Sequence, residues 1–154
     1  MRGFTLIELL ITVAIVGVLA SIALPLSELA ITRTKEHELR RSLREIRDAL
    51  DAYKKASDEG RIARAADQSG YPPTLRALTQ GAVDLRSAAG KKTYFLRRVP
   101  RDPFFADLTA PQEAPWRLRG YDNPPEDISG GKDVYDVFSR SERKGLNGIS
   151  YSEW

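Results

Sequence analysis

Residues 4–26 read FTLIELLITVAIVGVLASIALPL, and residues 9–26 of that stretch carry no charged side chain. The run approaches the roughly 20 apolar residues needed to cross a ~30 Å hydrocarbon core. A helix buried in one small domain shows a polar face, and this stretch has none. A signal peptide is the nearest rival, with Arg2 as its positive region. Against it, the run is longer than a typical signal core, and Ser21-Ile22-Ala23, the nearest small-x-small site, lies inside it. A membrane-spanning helix fits best. Its anomaly is Glu8, a carboxylate within the apolar stretch that costs several kcal/mol unless it finds a partner, and intramembrane charges of this kind mark function.

Beyond Leu26 the composition changes abruptly, with Glu28, Arg33, Lys35, Glu36 and His37 in one short stretch. Apolar residues then recur at Leu39, Leu43, Ile46, Leu50 and Tyr53 in alternating steps of four and three, the seam of an amphipathic helix. Opposite charges four apart, Glu36–Arg40, Arg44–Asp48, Arg47–Asp51 and Asp51–Lys55, are expected to pair on its other faces. Gly60 is a good residue to end it. The pattern predicts one helix over residues 4–59, half in lipid and half, residues 27–59, packed on a head domain. Arg40, Arg41, Arg44 and Arg47 are interleaved with acids, which favours a solvated face over a nucleic-acid surface. His37, without partners, reads as a surface residue.

In the head, residues 61–69 are polar, and Tyr71-Pro72-Pro73-Thr74 opens a short helix with Thr74 as cap and Leu75 and Leu78 on one side. Residues 81–90 form a Gly/Ala/Ser-containing stretch, and Tyr94-Phe95-Leu96 is a short apolar patch. Val99-Pro100-Arg101-Asp102-Pro103-Phe104 reads as an extended, turn-rich connection. Residues 116–121 and 134–138 are strand candidates, separated by a Pro/Gly turn region over 123–131. Leu146, Ile149, Tyr151 and Trp154 are spaced to tuck the polar tail back onto the sheet. The fold class is α+β: a long N-terminal helix packed on a small antiparallel β-sheet.

The composition narrows function further. The chain's 154 residues suit one domain of ordinary size, and Lys+Arg 24 against Asp+Glu 21 gives a net charge of only +3. Without cysteine there is no disulfide scaffold, thiolate metal site or Cys nucleophile. His37, the single histidine, leaves no second one for a His-pair metal site or a His-relay enzyme. Gly90-Lys91-Lys92 lacks the earlier Gly and the Ser/Thr of a phosphate loop, GxSxG is missing, and Asp133 and Asp136 do not begin an EF-hand pattern. The chain does not read as an enzyme. A basic stripe, Lys91, Lys92, Arg97, Arg98, Arg101, Arg117 and Arg119, lies near Tyr94, Phe95 and Trp116 and raises DNA binding as a rival. A solvated edge, or charges meeting acids of a neighbouring subunit, is the preferred reading, and no nucleic acid is expected.

The block Gly3-Phe4-Thr5-Leu6-Ile7-Glu8-Leu9-Leu10, with Pro25 further along, resembles the prepilin signature of type IV pilins and type II secretion pseudopilins. The resemblance implies cleavage between Gly3 and Phe4 by a prepilin peptidase and methylation of the new Phe4 amine. That amine and the Glu8 carboxylate of a neighbouring subunit could neutralise each other and set the axial register; pairing within one subunit is the alternative. Pro25 removes one helix hydrogen bond, marking a place of bending or melting. The leader, residues 1–3, is shorter than the family's usual leaders, which points to a start upstream of Met1. In the head, Tyr71-Pro72-Pro73-Thr74-Leu75-Arg76-Ala77-Leu78, the Tyr94 to Phe104 block, residues 133–139 (DVYDVFS) and the closing Trp154 are similar to the G-type major pseudopilins.

The resemblance implies a pilin-like fold in three parts: leader 1–3, transmembrane and filament-core helix 4–26, and periplasmic head 27–154. It implies a subunit that polymerises with itself into a periplasmic pseudopilus. By the same resemblance, other pseudopilins, the prepilin peptidase and the inner-membrane secretion platform are its expected partners, and the inner membrane is its expected anchor. A type IV pilin serving adhesion, motility or DNA uptake is the alternative, which the lack of a cysteine-bounded loop disfavours. G-type pseudopilins also hold Ca²⁺ in the loop after the last major strand. Here residues 139–150 read SRSERKGLNGIS, in which Glu142 is the one acid, beside Arg140, Arg143 and Lys144. Calcium needs roughly 6–8 oxygen ligands with carboxylates among them. Glu142 and Asn147 are weak candidates, and no metal or other cofactor is expected. Leu146, Ile149, Tyr151 and Trp154 are expected to pin the loop instead, with Asn147-Gly148 making the turn.

Overall fold

The computed structural model describes residues 4–107 and 109–154, with the side chains of residues 22–24 outside that description. Helix α1 runs from Leu6 to Asp58 and continues through Pro25. It is followed by α2 (Leu75–Gln80), β1 (Ala82–Val83), β2 (Lys92–Thr93), β3 (Trp116–Arg119), β4 (Asp136–Ser139) and a 3-10 turn, Tyr151–Glu153. The chain divides into two units, Met1–Lys35 and Glu36–Trp154.

In the first unit, the large apolar side chains of α1 face outward, as Leu10, Ile15 and Leu19 do. The helix is long and apolar enough to cross a membrane.

In the second unit α1 is amphipathic in the expected register. Leu39, Leu43, Ile46 and Leu50 are buried, with Ala49 and Ala56 beside them. The helix closes at Gly60, whose φ of 69° needs a residue without a Cβ. Gly60 N–H donates to Ser57 O at 3.0 Å and Arg61 N–H to Ala56 O at 2.9 Å, the paired bonds of a Schellman end.

The α1 seam packs in one core with Leu75 and Leu78 of α2, Leu96, Val99, Trp116, Val134, Val137 and Tyr151. Thr74 precedes α2 in extended conformation, but its side chain makes no capping bond, contrary to expectation. The α2 helix is anchored at its other end, where Leu78 O accepts the N–H groups of Phe95 and Leu96, each at 3.1 Å. The main ladder is antiparallel, pairing Trp116 with Ser139 and Arg119 with Asp136. The β1–β2 pair is a second antiparallel ladder without a signal in the sequence, because two-residue strands show no periodicity.

Two expectations for the head are corrected. The anticipated helix-surface pairs Glu36–Arg40 and Arg47–Asp51 are redirected to distant partners. Arg47 Nε reaches Asp136 Oδ1 at 2.8 Å, and Glu36 turns inward to the C-terminal loop. Of the four tail residues meant to tuck inward, Tyr151 is fully buried and Trp154 partly so, but Leu146 and Ile149 are each 46% exposed. The reach needed to cover the core is supplied instead by Phe104, whose ring stacks on Tyr151 at 4.0 Å between centroids.

Candidate functional site

At the start of α1 the backbone N–H groups of the first turn lack helical acceptors. Thr5 and Glu8 supply them reciprocally. Glu8 N–H donates to Thr5 Oγ1 at 3.3 Å, while Thr5 N–H and Thr5 Oγ1–H both donate to Glu8 Oε2 at 3.2 Å. This is a capping box, written in the sequence as Thr-x-x-Glu ahead of an apolar run, and the sequence reading passed over it. The Glu8 carboxylate is exposed on a helix end whose neighbours are apolar, and Phe4 beside it is 86% exposed. Of the processing pair, Phe4 is described and Gly3 lies outside the described residues. Pro25 sits within α1, exposed.

The arrangement has two chemical consequences. Both Thr5 donors and the positive end of the helix dipole hold the carboxylate at the tip of the apolar segment. A carboxylate has about four lone-pair sites, so one so held still has room for a cationic donor.

The second place of interest is the C-terminal loop, where the resemblance implies calcium. Glu142 has a side chain 83% exposed and meets Arg117 Nη2 at 3.3 Å. Asn147 Oδ1 accepts from Ile149 N–H at 3.1 Å, inside its own turn. Arg143 and Lys144 lie exposed between them. Asp133 accepts from Tyr121 N–H at 2.8 Å and from the Ser69 hydroxyl, and Asp136 serves Arg47 and Arg119. Among the described residues no three His, Cys, Asp or Glu side chains converge as a metal-binding group. The donors present do not fit a hard divalent cation.

Two of the three aromatic residues near the basic stripe are turned into the head, and its Arg119 is paired. Trp116 is buried, with its Nε1–H donating to Pro100 O at 3.0 Å. Phe95 packs against Tyr53 at 5.2 Å, and Arg119 lies against Asp136. Of the aromatic residues near the stripe, Tyr94 keeps an exposed ring. His37 is exposed.

Sequence reasoning also missed two buried carboxylates. Asp102 accepts from Phe104 N–H at 2.7 Å and from the buried Ser139 hydroxyl. Burial pushes its carboxyl above the ordinary carboxylate value, against the pull of those two donors. Glu36 Oε1 accepts from Leu146 N–H at 2.7 Å and from Tyr151 Oη–H at 3.1 Å. Burial, and then the Glu36 carboxylate, raise the Tyr151 hydroxyl. The Asx turn at Asp102 was signalled by Asp-Pro-Phe; the reach of Glu36 across the whole head had no local signal.

Residues 1–24 match the prokaryotic N-terminal methylation motif. Over 72 residues, 47% of this chain, the sequence is 39% identical to the type IV major pilin protein PilA of Myxococcus xanthus (strain DK1622), and it spans 32% of that protein's length. The type II secretion system core protein G of Pectobacterium carotovorum subsp. carotovorum is 30% identical over 110 residues, covering 69% of this chain and 64% of that one. Core protein G of Klebsiella pneumoniae is 32% identical over 111 residues, covering 69% of this chain and 71% of its own length. No solved structure matches the chain at a significant level. The methylation motif, the long apolar-to-amphipathic helix on a small antiparallel head, and the extended likeness to core protein G converge: the chain belongs to the type II secretion core protein G family, the G-type pseudopilins.

Proposed function

We propose that this chain is the structural subunit of a periplasmic pseudopilus that serves type II protein secretion. It is anchored in the inner membrane by residues 4–26, with residues 27–154 in the periplasm. A prepilin peptidase cuts between Gly3 and Phe4, and the freed Phe4 amine is methylated. Subunits then leave the membrane into a homopolymer joined by other pseudopilins and driven from the inner-membrane secretion platform. No catalytic step and no nucleic acid enter this role. The pilin and pseudopilin family is a structural one.

The observation that carries the reading is the Glu8 carboxylate at the tip of an exposed apolar helix, held by the Thr5 cap. In a filament core, the Phe4 amine of one subunit meets Glu8 of the next, and the pair fixes the axial step. The carboxylate is costly in lipid and useful in the polymer. The Myxococcus likeness, over 47% of this chain, supports a second reading, a type IV pilin.

Deleting the gene in its native host separates the two readings. Loss of exoprotein from the medium with surface motility intact is the expected result, restored by a copy whose mature chain begins at Phe4 by mass spectrometry. Loss of motility with normal secretion transfers the chain to the pilins. A mature start near Leu24 overturns both.

A further inference from the structure

The C-terminal loop of the head is organised around an acid, and that acid comes from the other end of the chain. Glu36 is the first residue of the second unit and is buried, 7% exposed, a rare state for a carboxylate. Its Oε1 accepts the Leu146 N–H at 2.7 Å and the buried Tyr151 hydroxyl at 3.1 Å. The loop folds tightly about that point. Gly145 N–H donates to Ile149 O at 2.8 Å, Tyr151 N–H donates to Arg143 O at 3.0 Å, and Lys144 bridges Ser150. Gly145 is required by closeness: a Cβ there would lie 3.0 Å from Glu36 Oε1 and 2.7 Å from Trp154 Cζ2. One turn further along α1, the Arg40 guanidinium lies 4.3 Å over the Trp154 ring and covers the same loop from the helix side.

A loop closed on a cation places carboxylates inward. This loop does the reverse, with its cations outward and its backbone N–H and tyrosine O–H aimed at a fixed anion. We infer that Glu36 is an internal anchor that does for this loop what a bound calcium ion does in a metal-holding pseudopilin, so the loop sets without metal and stands or falls with this side chain. The inference is independent of whether the subunit serves secretion or a pilus. Hydrogen bonds to a charged acceptor are the stronger kind, and leaving the buried Tyr151 hydroxyl and the part-buried Leu146 N–H unpaired would add to the loss.

The test is hydrogen–deuterium exchange by mass spectrometry on the full chain in detergent micelles, with millimolar calcium chloride or with chelator. Exchange over residues 143–151 reads the loop, and exchange over residues 39–50 reads the head. The wild type is expected to protect the loop equally in both solutions. Glu36→Ala is expected to speed loop exchange by about tenfold or more, with the helix seam unchanged. Glu36→Gln keeps the shape and one acceptor oxygen, and should give a smaller rise confined to the loop. If Glu36→Ala unfolds the whole head, the Gln variant decides: a local rise supports the anchor, and no rise overturns it. Calcium slowing loop exchange in the wild type, or loop protection unchanged in Glu36→Ala, also overturns it.

Discussion

At the scale of a residue, Glu8 has two partners in prospect, and they predict different mutants. The capping box is local, and removing Thr5's hydroxyl costs a helix end about 1 kcal/mol. The pairing with a neighbour's amine is between subunits and needs the carboxylate alone. Thr5→Ala should therefore keep most secretion, whereas Glu8→Leu, which inserts into lipid at least as well, should lower it by about tenfold or more. Exoprotein in the culture medium measures both. Equal, mild defects in the two variants would reduce Glu8 to a helix cap. The cap was legible in residues 5–8 as Thr-x-x-Glu, a signal masked by the stronger prepilin signature on which the proposed pairing rests.

At the scale of an element, α1 places the same residue type in two solvents. Ile46 is fully buried in the head, and Ile15 is 54% exposed in the first unit. Ile46→Ala should destabilise the head by about 2–5 kcal/mol, as a truncated core residue does, while Ile15→Ala should leave head unfolding unchanged. Denaturant titration in micelles, followed by tryptophan fluorescence, checks the pair; Trp116 reports from the core. The helix was readable because its evidence is local: the 3.6-residue period and the loss of charge over residues 9–26 are properties of neighbours. The β3–β4 ladder was readable from alternation, although β4 begins at Asp136 rather than Val134. Leu146 and Ile149 were misplaced because hydrophobicity alone predicts burial, whereas the turn through Asn147 and Gly148 leaves them outward. Glu36 was misassigned because Arg40 offered a partner four residues away, and its actual partners lie more than a hundred residues further on.

At the scale of the molecule, the acid groups pull stability in opposite directions with pH. Asp102 is raised above 3.8, chiefly by burial, so the folded chain takes its proton more readily than the unfolded chain. Its contribution is fullest below the ordinary value and is lost as pH rises through the raised one. Asp84 is lowered, first by the Arg61 side chain and then by the Arg86 N–H, so its contribution is present above 3.8 and is lost as pH falls through the lower value. Between neutral pH and about 4, the wild type should therefore gain on an Asp102→Asn variant as the solution is acidified. The same comparison with Asp84→Asn should move only in stronger acid, and in the other direction. Thermal unfolding of the three proteins across that range reads the sign, and a difference between wild type and Asp102→Asn that ignores pH would remove Asp102 from the account.

The bond from Glu36 to Leu146 also sets a timetable. The ribosome makes the anchor more than a hundred residues before its partners, so the helix seam, α2 and both ladders can be complete while the loop still has nothing to close on. Closure must wait until Leu146 and Tyr151 have been made, since no product shorter than that contains both halves of the contact. A chain stopped before Leu146 would keep a buried acid with neither of these donors, and quality-control proteases would meet an open head. Leu146 and Tyr151 thus act as a check on the head elements synthesised before them.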